Sequence, residues 1–375
     1  MVSPILLIIV GIIILLLGVY LYRYLLRIVD VLGKNRKSKR IRLLVIFICN
    51  ALFAACFKFL GYGLVLLMHV LVIAWIVDGI HFLIKKLYKS YSDHPKWDKV
   101  YKSGVLPLIL TSIVLCYGFI NMGNVIETNY EVDTDKYIRQ EGYTIAMVSD
   151  LHYPTTMNGE ALLSYVQEIN KKSPDFVVLC GDIVDESTTK VEMEEALSIL
   201  GQIENKYGIY YVYGNHDYAR YSGKSNFTKA ELYDCFVSNK IQVLEDRVTT
   251  VNDEIVLMGR ADSGYGNDDA RVDQEKLLAG IDQNKYILLL DHKPAELEEN
   301  TKLGIDLQLS GHTHAGQLWP AGIIGELLGA NEQNYGIREN GSFTSIVSSG
   351  IAGWGNKLRT AKHSEYVIIT LRPKN

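Results

Sequence analysis

Five short segments of this chain carry side chains that bind metal ions or move protons, and each follows an apolar, β-branched run. Ser149-Asp150-Leu151-His152 comes after Tyr143–Val148, Gly181-Asp182-Ile183-Val184-Asp185 after Phe176–Leu179, and Gly214-Asn215-His216-Asp217 after Ile209–Tyr213. Asp291-His292 comes after Tyr286–Leu290, and Gly311-His312-Thr313-His314 after Leu307–Leu309. Of the six histidines beyond residue 124, five lie in these segments and only His363 does not. Core histidines scattered for packing would not collect in this way. Asp150, His152, Asp182, Asn215, His292, His312 and His314 together offer imidazole nitrogens, carboxylates and one amide oxygen, with no thiolate. One tetrahedral zinc needs four ligands. A seven-donor set in which one carboxylate bridges suits two divalent ions with positions left open for water. The mixed N/O chemistry fits Mn, Fe, Zn, Co or Ni better than Ca or Mg. Such a pair, with its ions about 3.5–4 Å apart, is suited to in-line displacement at phosphorus.

For these donors to meet, the runs before them must be neighbouring strands. Ligands of open α/β folds gather beyond the carboxyl ends of strands. The intervening pattern agrees: Gly159–Asn170, Val191–Asn205, Lys229–Ser238 and Asp273–Ile281 read as helices, and Thr344–Val347 and Tyr366–Leu371 as further strands. Strand–helix alternation predicts an α/β domain, and the later run of strands predicts sheet packed on sheet with helices outside. Residues 124–139 are polar and mixed, without a clear period, and read as a linker.

The first third of the chain is different. Of the 375 residues, those numbered 1–123 hold 15 Lys/Arg against 4 Asp/Glu, a balance of +11, whereas 124–375 hold 23 against 38, a balance of −15. That asymmetry points to two environments in one chain. The 48% apolar content excludes intrinsic disorder, and five cysteines exclude a disulfide scaffold. Pro4–Tyr22, Leu43–Leu60, Leu64–Leu83 and Val105–Met122 are each close to the roughly 20 residues that cross a bilayer as a helix. The first lacks a preceding basic residue and a cleavage site, so it reads as a retained helix rather than a secretion signal. Basic residues follow the first stretch (Arg23 to Arg42) and the third (Lys85 to Lys102), which places both loops in the cytoplasm and everything after Met122 outside. The expectation is a multi-pass cell-membrane protein with four transmembrane helices in residues 1–123 and an extracytoplasmic domain over 140–375. Asp78 and His69 are expected to pair within the bundle, and Lys58 to reach out of it.

With the motifs in hand, a family can be named. Asp150-x-His152, Gly181-Asp182-x-x-Asp185, Gly214-Asn215-His216-Asp217, His292 and Gly311-His312-x-His314 stand in the order of the five motifs of the calcineurin-like metallophosphoesterase superfamily. Over about residues 140–375 the chain resembles that superfamily, and its membrane helices resemble the membrane-anchored bacterial branch. The resemblance implies a four-layer α-β-β-α sandwich with two metals at one end, holding Mn, Fe or Zn. It implies that Asp150, His152 and His314 hold one ion, that Asp182 bridges, and that Asn215, His292 and His312 complete the second. By the same likeness His216 and Asp217 are catalytic. His216 would contact the phosphate and protonate the leaving oxygen while metal-bridging hydroxide attacks, and Asp217 would accept the other N–H of His216. Asp185 is expected behind the ligands.

The match weakens near the C-terminus. There Gly350-Ile351-Ala352-Gly353-Trp354-Gly355 is followed by Lys357, Arg359 and His363, where the family would have an Asn-Pro-Pro-Glu-type segment. Lys357, Arg359 and His363 are read either as contacts to a second phosphate or lipid head group, or as solvated loop charges. Arg260 is a further candidate for reaching the site, and Trp319 and Trp354 form either an apolar rim or part of the core. The expected activity is metal-dependent hydrolysis of a phosphate ester or pyrophosphate bond in a small or lipid-linked substrate. The alternatives are an extracellular nucleotide phosphodiesterase and a non-catalytic phosphate-ligand sensor. A net −15 disfavours nucleic acid as a partner.

Overall fold

The computed structural model describes residues 4–58, 61–87, 95–218, 224–262 and 271–374, without the side chains of 4–11, 13, 57–58 and 95–96. The Lys58 side chain and Lys89, part of the reasoning above, lie outside these residues. The chain divides into two compact units, Met1–Tyr117 and Gly118–Asn375.

In the first unit the helices are α1 (Pro4–Val31), α2 (Lys39–Lys58), α3 (Tyr62–Leu87), α4 (Pro95–Ser103) and the start of α5 (Val105–Met122). Helices stand at all four predicted stretches, but among the described residues only α3 and α5 are long and apolar enough to cross a membrane. The expected four spans are corrected to two. The charged residues of α1 (Arg23, Arg27, Asp30) and of α2 (Lys39, Arg40, Arg42) flank the apolar run of each helix. Asp78 is paired as expected, accepting from Arg27 at 2.5 Å, Tyr20 at 2.8 Å and Tyr101 at 3.0 Å. His69 Nδ1 donates to the Val65 carbonyl one turn back, at 2.8 Å.

The second unit begins with the last turn of α5 and continues with β1 (Val125–Thr134), β2 (Tyr143–Val148), α6 (Gly159–Asn170), β3 (Phe176–Cys180), α7 (Lys190–Leu200), β4 (Ile209–Val212) and α8 (Lys229–Ser238). After these come β5 (Ile241–Val243), β6 (Arg247–Val251), β7 (Ile255–Gly259), α9 (Gln274–Leu278), β8 (Tyr286–Leu290), α10 (Leu297–Lys302) and β9 (Leu307–Ser310). The chain ends through α11 (Ala321–Leu327), β10 (Gly336–Asn340), β11 (Phe343–Val347) and β12 (Ser364–Pro373). Among the described residues the strands form two six-stranded sheets, in the orders β1-β12-β2-β3-β4-β5 and β10-β11-β9-β8-β7-β6. Within them β2, β3, β4 and β5 run parallel, as do β7, β8, β9 and β11.

The period of each strand decides where its faces go. Ile145, Met147, Val178, Val212, Leu257, Leu288, Leu290 and Leu309 meet in one buried cluster contributed by both sheets. On the other face of the first sheet, Ala146, Val148, Val177 and Leu179 pack against Leu162, Val166, Leu197 and Phe236 of α6, α7 and α8. Val256, Met258, Ile287 and Leu289 of the second sheet pack against Leu278 and Leu297 of α9 and α10. Strands buried on both faces, as here, read as continuous apolar runs. Capping boxes at Thr189/Glu192 and Thr228/Glu231 fix where α7 and α8 begin. The predicted 191–205 helix stops at Leu200, with Gly201 as its cap.

The segment expected to be a linker is instead the edge strand β1, paired in parallel with β12 over its whole length, from Val125–Ser364 to Thr134–Pro373. An edge strand with mostly half-exposed side chains shows little alternation, so its partner, more than 200 residues away, carries the information.

Candidate metal centre

The five motifs leave the carboxyl ends of β2, β3, β4, β8 and β9. Past the end of the ladder, Asp150 N donates to Gly181 O at 3.0 Å, His152 N to Asp182 O at 3.0 Å and Tyr153 N to Ile183 O at 3.1 Å. The two turns are thereby laced together in a tight, strained course. Asp150 (φ 53°), His152 (φ 44°), Asp182 (φ 54°), His312 (φ 71°) and His314 (φ 50°) all occupy the left-handed region. A non-glycine residue there costs about 1–3 kcal/mol, and such residues gather at functional sites. Glycine is required where backbone meets a carboxylate. A Cβ on Gly214 would run into Asp182 Oδ1, and one on Gly311 into Asp150 Oδ2.

Asp150, His152, Asp182 and His292 are fully buried, Asn215, His216 and His314 nearly so, and His312 is half-buried. Three groups of potential ligand atoms lie within 4.8 Å of one another: Asp150/His152/His314, Asp182/His292/His312, and His152/Asp182/His216. Asp182 therefore stands between two triads. Its Oδ2 lies 3.1 Å from His292 Nε2 and 3.8 Å from His152 Nε2. His152 Nε2 and His314 Nε2 face each other at 3.1 Å. Asn215 sits at the same strand edge, between Gly214 and His216. Of the seven donors predicted from sequence, the six His and Asp residues are thus brought together, and Asn215 is beside them.

The electrostatics follow from burial. Burial pushes the Asp150 carboxyl up to about 6, with the Asp182 charge adding to it. For Asp182 burial acts the same way, but His292, His152 and His216 outweigh it and hold the carboxylate well below its usual range. Burial lowers His152 to about 4, lowers His312 to about 3, and holds His314 well below the ordinary imidazole value. For His292 burial is overcome by Asp182 and Asp150, which raise it to about 10. The ionised Asp182 and the neutral His152, His312 and His314 are in the protonation state that metal ligands require, whereas His292, held protonated by the two carboxylates, must give up its proton to bind.

The residues fit a metal pair on a structural ground too. Asp150 Oδ2 is buried without a hydrogen-bond partner beside Gly311, while its Oδ1 lies 3.6 Å from His314 Nε2, and such burial is costly unless a cation answers it. His292 is oriented for the purpose, since its Nδ1 donates to the Cys180 carbonyl at 2.7 Å and leaves Nε2 toward Asp182.

The surrounding residues sort differently from expectation. His216 Nδ1 is held by Glu186 Oε2 at 2.9 Å, not by Asp217. The Asp217 carboxylate instead accepts four backbone N–H groups: Asp182 and Gly214 at 2.7 Å, Ile183 at 2.9 Å and Val184 at 3.1 Å. Successive residues of a turn point apart, so Asp217 faces the neighbouring turn while His216 faces the site. For His216, burial opposes the charged form, but the hydrogen bond to Glu186 and the charges of Asp182 and Glu186 prevail and raise its pKa. Glu186 carried no motif signal, because nothing in the Asp182–Asp185 spacing singles it out. Asp185 is buried and accepts from Thr155 Oγ1 at 2.9 Å and from Ser187 N at 2.7 Å.

Arg359 neither touches the ligand side nor lies in solvent. It is fully buried and donates to the carbonyls of Ala352 at 2.7 Å, His314 at 3.1 Å and Ser349 at 3.1 Å. Lys357 is exposed, and His363 Nε2 lies 3.7 Å from Glu365. Arg260 is buried beside Asp246, with Arg271 and Asp291 nearby. Trp354 is half-exposed with its ring 5.2 Å from that of His216, and Trp319 is also exposed. Neither belongs to the core. Among the described residues no potential metal-ligand group includes a cysteine.

Residues 143–316 match the family model described as calcineurin-like phosphoesterase. The chain is 29% identical over 285 residues to a Danio rerio "Transmembrane protein with metallophosphoesterase domain", covering 72% of this chain and 63% of that one. It is 31% identical over 240 residues to an uncharacterized metallophosphoesterase of Helicobacter pylori, covering 62% and 60%. A third relative, an uncharacterized metallophosphoesterase of Aquifex aeolicus, is 30% identical over 250 residues, covering 65% and 91%. The chain thus spans less than two thirds of the length of the first two.

Proposed function

The chain belongs to the calcineurin-like metallophosphoesterase family, and we propose that it is a membrane-anchored phosphoesterase that hydrolyses a phosphate ester or pyrophosphate bond with two divalent metal ions. The observation that carries this reading is the position of Asp182, which groups with His292 and His312 on one side and with His152 and His216 on the other, His152 belonging in turn to the Asp150/His152/His314 group. Asp150, His152 and His314 would hold one ion, Asn215, His292 and His312 the other, with Asp182 common to both. Mn, Fe or Zn suits the donor set. When bound, the ion pair supplies the positive charge that polarises the phosphoryl group and eases deprotonation of the attacking water.

The chain's own residues do the rest. Glu186 fixes the Nδ1–H of His216 and supports its charge, which leaves Nε2 to donate a proton to the leaving oxygen. Asp217 holds the turn that carries Asp182, so the shared carboxylate keeps its orientation. The half-exposed Trp354 stands beside His216. A protein that only sensed phosphate would not need an acid, and His216 together with Glu186 favours catalysis over that alternative.

The experiment is metal analysis and turnover on the purified full chain, with p-nitrophenyl phosphate, its bis ester and a nucleotide diphosphate ester as substrates. His216→Ala should keep about two metals per chain and lose most turnover, roughly 10²–10⁴-fold, whereas Asp182→Ala should lose both. Full activity in His216→Ala would remove the acid role. Hydrolysis of the nucleotide ester alone would favour the nucleotide phosphodiesterase.

The membrane part of the reading rests on α3 and α5 and on the lysines between them. Lys85, Lys86, Lys99 and Lys102 favour a cytoplasmic loop and an outside location for the residues after Met122; the eight basic residues of 23–42 share the cytoplasmic side with that loop only where α1 and α2 cross as well. Tyr137, 81% exposed, is the site for a check. Tyr137→Cys should react with a membrane-impermeant maleimide on intact cells, and labelling only after lysis would reverse the orientation.

A further inference from the structure

The helix α11 has no buried residue, although its sequence is largely apolar. Ile323, Ile324, Leu327 and Leu328 are exposed by 54%, 48%, 81% and 77%, and Trp319 just before them by 37%. A soluble surface rarely offers five large apolar side chains within ten residues, and such a patch marks a contact. Beside it runs a groove of about 320 Å³, lined by Trp319, Pro320, Ile323 and Tyr335 on one side and by Thr360 and Lys362 on the other.

What covers this patch follows from its neighbours in the same unit. The segment that forms the second wall of the groove is fastened to the last turn of α5. Asn121 Nδ2 donates to Arg359 O at 3.1 Å and to Lys362 O at 3.2 Å, and Arg359 N donates to Gly118 O at 3.0 Å. That turn ends a helix apolar enough to cross a bilayer, so the patch is continuous with the point where the chain leaves the membrane. Trp319 and Tyr335, with Lys362 over the Tyr335 ring, are residue types that settle at the level of lipid head groups. At seven residues α11 is too short to span and suited to lying in the interface.

The patch is also tied to the metal centre. Arg359 links the α5 end to His314 through the hydrogen bond to its carbonyl. Ala361 N donates to Gln317 O and Trp319 N to Thr360 Oγ1, both at 3.0 Å. We infer that Trp319 and α11 insert into the leaflet beside α5, and that the substrate is a phosphate ester in a lipid head group, brought to the metal centre at the membrane surface. This inference rests on the phosphoesterase reading above and adds its substrate class.

The test uses the full chain in phosphatidylcholine nanodiscs carrying phosphatidic acid. An environment-sensitive dye on Leu327→Cys, with exposed Cys116 replaced by Ser, should emit to the blue and be quenched by spin-labelled lipid. The same dye on Val191→Cys, an exposed site on α7, should do neither. Equal, water-like emission at both sites overturns the insertion. Leu327→Glu/Leu328→Glu should lower kcat/KM for phosphatidic acid about tenfold while changing that for p-nitrophenyl phosphate less than about twofold. Equal losses on both substrates overturn the substrate assignment, as does a loss that tracks dissociation of a dimer, which would make a second copy the occupant. Absence of turnover on both substrates by the unmodified, metal-loaded protein refutes the hydrolase reading and the lipid-phosphate assignment with it. The dye measurement reports insertion independently of that result.

Discussion

Asp217→Asn separates two roles that adjacency in sequence would merge. If Asp217 oriented His216, the amide would cost activity and little stability. The structure gives the carboxylate another task, since both of its oxygens are taken by the N–H groups of Asp182, Ile183, Val184 and Gly214. An amide offers one oxygen and turns its NH₂ toward the remaining donors, so about two buried N–H groups lose their acceptor at roughly 1–3 kcal/mol each. Part of the loss returns, because burial and the Asp182 charge push the Asp217 carboxyl up to about 7, and the amide is relieved of both. A net loss of about 2–4 kcal/mol remains, or roughly 5–15 °C in melting temperature for a unit of this size. The assay is thermal unfolding of the full chain in detergent, with and without saturating Mn²⁺, beside Glu186→Gln. That second variant should melt within about 2 °C of the parent and keep its metal, but lose about 10–100-fold in kcat. An Asp217→Asn protein that melts normally and loses only kcat would refute this division of labour.

Three further outcomes are expected. Arg359→Met removes the donor of the Ala352 and Ser349 carbonyls and leaves the His314 carbonyl with the Gln317 N–H alone, and should cost about 3 kcal/mol or more, read as a lower denaturant midpoint with unchanged m. Gly214→Ala forces a Cβ against Asp182, and should abolish stoichiometric metal binding by elemental analysis while the far-UV spectrum stays native. Asp175 lies far from the metal site, with its pKa lowered because Arg139, the Thr144 N–H and Lys206 together outweigh its burial. Its contribution is therefore present above the unfolded carboxylate value of about 3.9 and is lost as pH falls through the lower folded value. The stability gap between parent and Asp175→Asn, measured by denaturation at several pH values, should be constant near neutrality and close in acid; a gap that widened in acid would contradict it.

The centre was readable because its chemistry is carried by residue type. Asp, His and Asn after apolar runs say both what they bind and, through the strand rule, where they meet. Strands β2 and β8 and helices α6 and α8 have the predicted bounds, since their periods and caps are local. The edge strand β1 was not readable as a strand, because its regularity is the pairing with β12 and not a pattern of its own. Length and apolarity predicted helices at four places, and helices stand there, two of which qualify as spans among the described residues. Glu186 has no spacing rule; it reaches His216 from the loop after β3, and only the fold shows that.

Asp217 and Arg359 were misread for one shared reason. A charged residue near a metal motif invites a chemical role, but a buried charge can be fully occupied by backbone. Asp217 collects amide N–H groups from the turns after β3 and β4, and Arg359 gives its N–H groups to carbonyls of the His314 turn and the 349–352 loop. These are the turns in which Asp182 and His314 sit in left-handed conformations. Left alone, each would relax and swing its ligand atom away. Opposite ionic groups on the two sides of the site, one binding donors and one binding acceptors, offset that strain without entering the reaction. The ligand geometry therefore depends on residues that no metal ever touches.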